Sequence, residues 1–178
     1  MQNKKAIELS INFLVVVILS LVILSSGIYL IRNFFRTTEE IKAQIDEQTE
    51  AQIENLLNQG ELVAVPLNRR TIPIENYGLF GVGILNIDSS PKTFQLSVSF
   101  NAAYDKTNNQ ITNINGNDWL LYDSDPFTLQ PNEDKKMAVL VDVPETQEGI
   151  YIFNVKVIDA DTNQPYGDIT KKIYVEVP

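Results

Sequence analysis

Leu9 to Ile31 is a run of 23 residues without one charged side chain, and 17 of them are apolar when Tyr29 is counted. At about 1.5 Å per residue a helix of that length covers roughly 34 Å, enough to cross the hydrocarbon core of a bilayer. Its centre, Phe13 to Leu24, holds neither Pro nor Gly. Backbone groups in lipid have no water to bond, so such a run must be helical. A cleaved secretory signal fits less well: the apolar run exceeds an ordinary h-region, and no small-residue A-x-A site follows it. Arg32 and Arg36 follow instead. A buried helix of a globular core is the other alternative, and an apolar run this long argues against it.

The remainder of the chain has the opposite character. Residues 37–178 carry 10 Lys+Arg and 22 Asp+Glu, whereas residues 1–36 carry four and one, and the whole chain has a net charge of −9. Lys and Arg flank the run on both sides, so the positive-inside count is nearly balanced. A long acidic domain translocates largely regardless of its charge, which favours an inside N-terminus and an outside C-terminal domain. There is no Cys and no His. That excludes a disulfide framework, a thiolate zinc site, a catalytic Cys and any His-based triad or metal site. The acidic balance argues against nucleic acid, whose phosphates need clustered Lys and Arg.

Nothing stops the helix after the apolar run. Thr37 and Glu40 are spaced as a capping box that could open a fresh helix. Yet there is no Pro before Pro66, and Gly27 and Gly60 are the only glycines in that stretch. Ile41, Ile45, Thr49, Ile53 and Leu56 recur at helical spacing, opposite Glu40, Glu47, Glu50 and Glu54. Gly60 is a candidate stop. The spacing predicts one helix over residues 7–59, with a membrane-spanning part at 9–31 and an amphipathic extension at 37–58. Its length is about 75–80 Å. The apolar stripe of the extension serves either its own C-terminal domain or neighbouring copies. Ser20, Ser25, Ser26 and Gly27 permit close helix approach in lipid, or are ordinary membrane-helix composition.

The N-terminal residues carry a resemblance. Lys4-Lys5-Ala6-Ile7-Glu8-Leu9-Ser10-Ile11-Asn12-Phe13-Leu14-Val15 resembles the class III signal peptide and helix start of archaeal type IV pilin-like proteins, archaellins among them. The resemblance implies a leader at residues 1–6, with Lys4, Lys5 and Ala6 read by a prepilin-type peptidase that leaves Ile7 as the first mature residue. It implies that the apolar helix is retained and packs against other copies, through positions such as Phe13, Val17, Leu21 and Leu24. Many bacterial pilins carry Glu at mature position five. Here Glu8 would be at position two, so that family pairing is not carried over. Read by itself, Glu8 is either a carboxylate at the membrane interface or a specific intersubunit partner.

From Glu61 the period changes to two. Phe94, Leu96, Val98 and Phe100 alternate with polar residues; so do Met137–Val143, Tyr151–Val157 and Ile173–Val177 on one face. Leu79–Ile87 and Trp119–Tyr122 add strands, and Glu61–Val65 and Thr71–Asn76 add edges. Seven or eight short strands separated by turn clusters predict a sandwich over residues 60–178. Phe127 to Val157 resembles the second half of an immunoglobulin-like surface domain, with its Pro131 turn, the strand Lys136–Val143 and then Gly149-Ile150-Tyr151. The expected fold class is α+β: a long N-terminal transmembrane or filament-core helix, then an all-β immunoglobulin-like sandwich.

Chemistry is sparse. Asp159-Ala160-Asp161-Thr162-Asn163 begins like a calcium loop, but Gln164 stands at loop position six and Thr170 at position twelve, so a polar hairpin turn is the reading. Asp118, Asp123 and Asp125 are acidic neighbours that nothing forces together. Lys135-Lys136 and Lys171-Lys172 read as solvated strand edges. The Asn-rich stretch 101–118 reads as a flexible exposed loop, and no N-x-[ST] sequon occurs. No nucleophile elbow, metal set or acid pair appears, so neither catalysis nor a cofactor is expected. Two function classes lead. One is a homopolymeric subunit of a pilus-like cell-surface filament. The other is a monomeric membrane-anchored binding or adhesion module outside the cytoplasm, or an accessory component of a pilus or archaellum machine. Both imply a membrane location with the C-terminal domain extracellular, and the first an extracellular filament.

Overall fold

The computed structural model describes Phe13, residues 15–23, residues 47–167 and residues 170–178. The chain divides into two compact units, Met1–Glu40 and Ile41–Pro178. In the first, Phe13 and residues 15–23 are helical. Among the described residues no helix is long and apolar enough to cross a membrane. The leader at 1–6, most of the span at 9–31 and the junction at 24–46 lie outside the described residues.

The second unit is a helix on a two-sheet sandwich. Helix α1 is Glu47–Asn58. The strands are β1 (Val63–Ala64), β2 (Arg69–Thr71), β3 (Asn76–Leu85), β4 (Lys92–Tyr104) and β5 (Leu120–Tyr122). They continue with β6 (Phe127–Leu129), β7 (Asp134–Val143), β8 (Gly149–Asp159), β9 (Gln164–Pro165) and β10 (Lys171–Val177). One sheet has the order β1-β3-β7-β5; the other has β2-β10-β8-β4-β6, with β9 paired to β8. Every pairing is antiparallel except β2 with β10. The first sheet reproduces the A-B-E-D order of an immunoglobulin constant-type sandwich and the second its C-F-G set. The leading strand divides between the sheets, β1 pairing with β3 and β2 running parallel to the last strand. The immunoglobulin-like sandwich expected from the alternation is therefore present, with ten strands among the described residues where seven or eight are expected.

The core sits between the sheets. Phe80, Val82 and Ile84 of β3 and Val139, Val141 and Val143 of β7 meet Phe94 and Leu96 of β4. Phe153, Val155 and Val157 of β8 and Ile173 and Val175 of β10 complete it. Gly149 and Tyr151 open β8, and the Tyr151 hydroxyl turns back to donate to the Gln147 carbonyl at 2.6 Å. With its proton committed there, the phenol oxygen accepts from Thr146 Oγ1 at 2.9 Å. This is the tyrosine corner of immunoglobulin-like folds, two residues before the position where antibody domains place a Cys. That position is Phe153, and Trp119 covers the pair, its ring 4.6 Å from Tyr151 and 6.2 Å from Phe153. A cluster of tilted rings thus surrounds the position of the second Cys.

Helix α1 rests on the outer face of the first sheet. Ile53 and Leu57 are buried with Ala64, beside Leu56 and Leu85. The seat exists because β3 offers no side chain at Gly83: a Cβ there would lie 2.2 Å from Ile53 Cγ2. Lys136, cross-strand from Gly83, reaches Glu54 at 2.5 Å and Glu50 at 3.8 Å. So the stripe Thr49, Ile53 and Leu57 faces the chain's own sandwich, and the unit holding the sandwich begins upstream of Gly60. Gly60 does end the helix. At φ +97° it donates to the Leu57 carbonyl while Glu61 donates to that of Leu56, the paired bonds of a Schellman cap.

Some strand boundaries move. Thr71–Asn76 is not an edge strand: β2 ends at Thr71, and Pro73 with Glu75 at φ +59° turns the chain into β3. Trp119 belongs to a 3-10 turn, Gly116–Trp119, that delivers it to the core ahead of β5.

Two outcomes are expected. Ile53→Ala should cost about 2–5 kcal/mol in denaturant unfolding of the 41–178 unit, the range for emptying a buried Ile site; a change under 0.5 kcal/mol would show that α1 is not docked. Tyr151→Phe keeps the ring and loses the corner, and should cost about 1 kcal/mol. Equal midpoints for both proteins would remove the corner from the account.

Candidate functional site

The residues that could carry function fall in two places. The first is the helical stretch 15–23. Apart from Ser20 every residue in it is apolar, and the exposed apolar surface runs all round: Val15, Val16, Val17, Ile18, Leu19, Leu21, Val22 and Ile23 are exposed, and Phe13 is 71% exposed. Ser20 removes its own polarity by donating its hydroxyl to the Val16 carbonyl at 2.8 Å, one turn back. Of the expected assembly positions, Phe13, Val17 and Leu21 are helical and exposed. Lys4, Lys5, Ala6, Ile7, Glu8 and Leu24 lie outside the described residues.

The second place is the end of the sandwich where β3 leaves for β4. Asp159, nearly buried, closes the calcium-loop question. Its Oδ1 accepts from the amides of Asp161 at 3.0 Å and Thr162 at 3.2 Å, and its Oδ2 meets Lys92 Nζ at 3.0 Å. The Lys92 ammonium stands where a cation would, shared with Asp88 at 2.7 Å and set 5.7 Å from the Tyr166 ring. Among the described residues no group of three carboxylates converges on one point. The stretch is the polar hairpin expected, locked by a lysine.

Beside it lies a residue that no motif or periodicity marks. Asn86 is fully buried; its Nδ2 faces the carbonyls of Ser90, Leu129 and Gln130, and its Oδ1 accepts from the Asp88 amide. Tyr166 adds a hydroxyl that donates to the Leu85 carbonyl and accepts from the Ile87 amide. Three loops are sewn together by side chains, and the arrangement leaves no unpaired nucleophile or base. Its chemistry is structural.

The remaining candidates resolve in the same way. Lys136 pairs with Glu50 and Glu54, Lys171 pairs with Glu61, and Lys135 lies over the Phe127 ring at 3.9 Å. Of the four lysines read as solvated edges, three have partners and Lys172 is exposed. The Asn-rich stretch is built, not loose. Asn117 Oδ1 accepts the Phe100 amide on the free edge of β4, Asp105 gathers the amides of Thr107 and Asn109, and Asn108 and Asn113 occupy left-handed φ of +63° and +65°. Tyr122 closes the same edge, its hydroxyl bonding both the amide and the carbonyl of Val98. Asparagine side chains can mimic backbone turns and tolerate that φ, which accounts for their density here.

No family model matches the chain, and no curated protein matches it. Among solved structures it is similar to a family 123 glycoside hydrolase from Clostridium perfringens, at 13% identity and TM-score 0.48 over 71% of this chain; it spans a quarter of that chain. It is also similar to the PapD-like domain 7 of human CEP192, at 10% identity and TM-score 0.45 over 66% of this chain and 85% of that one. A third is a CARDB domain from Pyrococcus furiosus in complex with di-metal ions, at 17% identity and TM-score 0.43 over 65% and 84%. The fold assignment rests on the strand order and the tyrosine corner.

The ion cluster sets a pH response. Lys92, with the Thr162 and Asp161 amides, holds the Asp159 carboxyl below its ordinary range against the opposing effect of burial. Asp88, then Asp159, holds the Lys92 ammonium above the ordinary lysine range. A depressed acid stabilises the fold above its unfolded value, about 3.9, and loses that contribution as pH falls through the folded value. A raised lysine contributes below about 10.4 and loses it as pH climbs through its own folded value. Stability should therefore fall on acidification below about pH 4. Lys92→Met should lower stability at neutral pH and flatten the acid limb. Denaturant midpoints between pH 2 and 7 measure both, and parallel curves for the two proteins would break the link.

Proposed function

We propose that this protein is a structural subunit of a type IV pilus-like surface filament, non-catalytic, polymerising through its apolar N-terminal helix and displaying the sandwich. One observation carries the reading: a helical stretch apolar on every side, whose lone hydroxyl is turned inward onto its own backbone. A surface like that is stable only in lipid or against copies of itself. Burying a Val, Leu or Ile side chain contributes about 1.5–3 kcal/mol, so the eight such residues in 15–23 represent about 12–24 kcal/mol. That is enough to hold an assembly without disulfides or metals. The leader, cut by a prepilin-type peptidase between Ala6 and Ile7, would release the helix from the membrane side while keeping it attached to the sandwich. Before assembly the subunit sits in the cell membrane with the sandwich outside; after it, the acidic sandwich faces solvent and keeps finished filaments apart.

The length of the uncharged run supports a second reading, because Leu9–Ile31 also matches a single bilayer span. In that reading the protein is a monomeric anchored binding or adhesion module, or an accessory part of a pilus or archaellum machine. The mature N-terminus and the oligomeric state separate the two. N-terminal sequencing of surface material should begin at Ile7, and Val17→Asp should abolish assembly while the 41–178 unit keeps its melting temperature. A mature protein that retains Met1 and stays monomeric in the membrane would favour the anchored module.

A further inference from the structure

The outer face of the β2-β10-β8-β4-β6 sheet departs from the apolar-in, polar-out pattern of a sandwich. Tyr174 on β10 stands directly opposite Ile152 on β8, and both are on the side away from the core. In the next row Lys172 is opposite Asn154, and Lys156, two residues further along β8, lies diagonal to Lys172. Arg69 covers the Tyr174 ring at 5.0 Å and has Glu176 4.0 Å away. Lys156 and Lys172 pair with no carboxylate among the described residues. A cationic, half-apolar face is the exception on a chain of net charge −9.

Its chemical complement is on the other sheet of the same molecule. Tyr77, at 64% the most exposed aromatic residue of the sandwich, stands directly opposite Asp142 on the outer face of β3 and β7. Glu75, whose amide donates to the Val143 carbonyl, and Glu145 lie at the same end. Asp142, Glu75 and Glu145 have no cationic partner among the described residues. An exposed aromatic opposite one carboxylate, with two more at the same end of the sheet, fits a face that offers an aromatic, an isoleucine and two ammonium groups.

We infer that these two surfaces meet between copies: the Tyr77–Asp142 corner of one sandwich docks on the Tyr174–Ile152–Lys156–Lys172 face of the next. The inference rests on the filament reading and names the sandwich-to-sandwich contact within it. The two patches differ, so the contact is heterologous and repeats from copy to copy instead of closing on a two-fold pair. Charge sets register and partner choice, and the buried aromatics supply the anchor.

The test uses the full chain purified in detergent, with assembly on detergent dilution followed by sedimentation and electron microscopy. Asp142→Lys with Glu75→Lys and Glu145→Lys in one chain, and Lys156→Glu with Lys172→Glu in another, should each reduce the sedimenting fraction at least fivefold. Mixed in equal amounts they should recover it, because the reversed corner of one fits the reversed face of the other and the remaining corner-to-face contact is native. A chain carrying all five changes should also assemble by itself. Recovery separates lost complementarity from misfolding, since a misfolded variant rescues nothing. Wild-type assembly with undiminished corner and face variants would overturn this contact and leave the filament reading standing. Loss without recovery, in the mixture and in the five-change variant, would also overturn it. A wild-type chain that never assembles would overturn both.

Discussion

The sandwich depends on the cluster of tilted rings at the corner end of its core. Phe153 stands where antibody domains place the second Cys of their inter-sheet disulfide, and Trp119 packs beside it and Tyr151, in a chain with no Cys. A disulfide acts largely on the unfolded chain, whereas a ring cluster acts through burial in the folded one. The distinction explains why the corner is so fully bonded. With no covalent link between the sheets, the entry of β8 must be fixed by hydrogen bonds, and the Tyr151 hydroxyl supplies two of them. Burial also pushes the Tyr151 hydroxyl above its ordinary range, so it stays a donor throughout physiological pH.

The two ends of the sandwich are stabilised by different physics. The corner end relies on aromatic packing. The other end relies on Asn86 and on the Asp88–Lys92–Asp159 cluster, polar groups that hold three loops together. The Asp159 carboxyl and, at the corner end, the Asp105 carboxyl held low by the Asn109 amide respond to acid, whereas the ring packing does not. The free edge of β4 is managed by a third device. Tyr122 and Asn117 side chains occupy backbone groups that another strand could otherwise use, which protects a long edge from unwanted pairing.

Which parts were readable in the sequence follows from length and period. β4, β8 and β10 run seven residues or more and bury alternate side chains, so their pattern declares both existence and facing. β2, β6 and β9 have two or three residues and are set by their neighbours, which leaves no period to read. Lys136 reads as a solvated edge residue because its partner, Glu54, is 82 positions away. The Asn-rich stretch reads as loose because its bonds are specific to geometry, not to composition. The helix stop at Gly60 was legible because a cap is local. The candidate site divides the same way. The apolar run announces itself as a surface to be buried, while the role of Asn86 depends on carbonyls 43 and 44 positions distant.

The closed cap at Gly60 and the clamp of Ile53 on Gly83 have a consequence for how this chain can change over time. A helix turns by about 100° per residue. One residue inserted between Glu50 and Ile53 would keep Ile53 and Leu57 seated but turn Thr49 and Glu50 by that angle away from the sheet. An insertion between Ile53 and Gly60 would instead set the seat and the cap out of phase with each other. Length changes near α1 are therefore not equivalent: their effect is angular, and it depends on which side of Ile53 they fall.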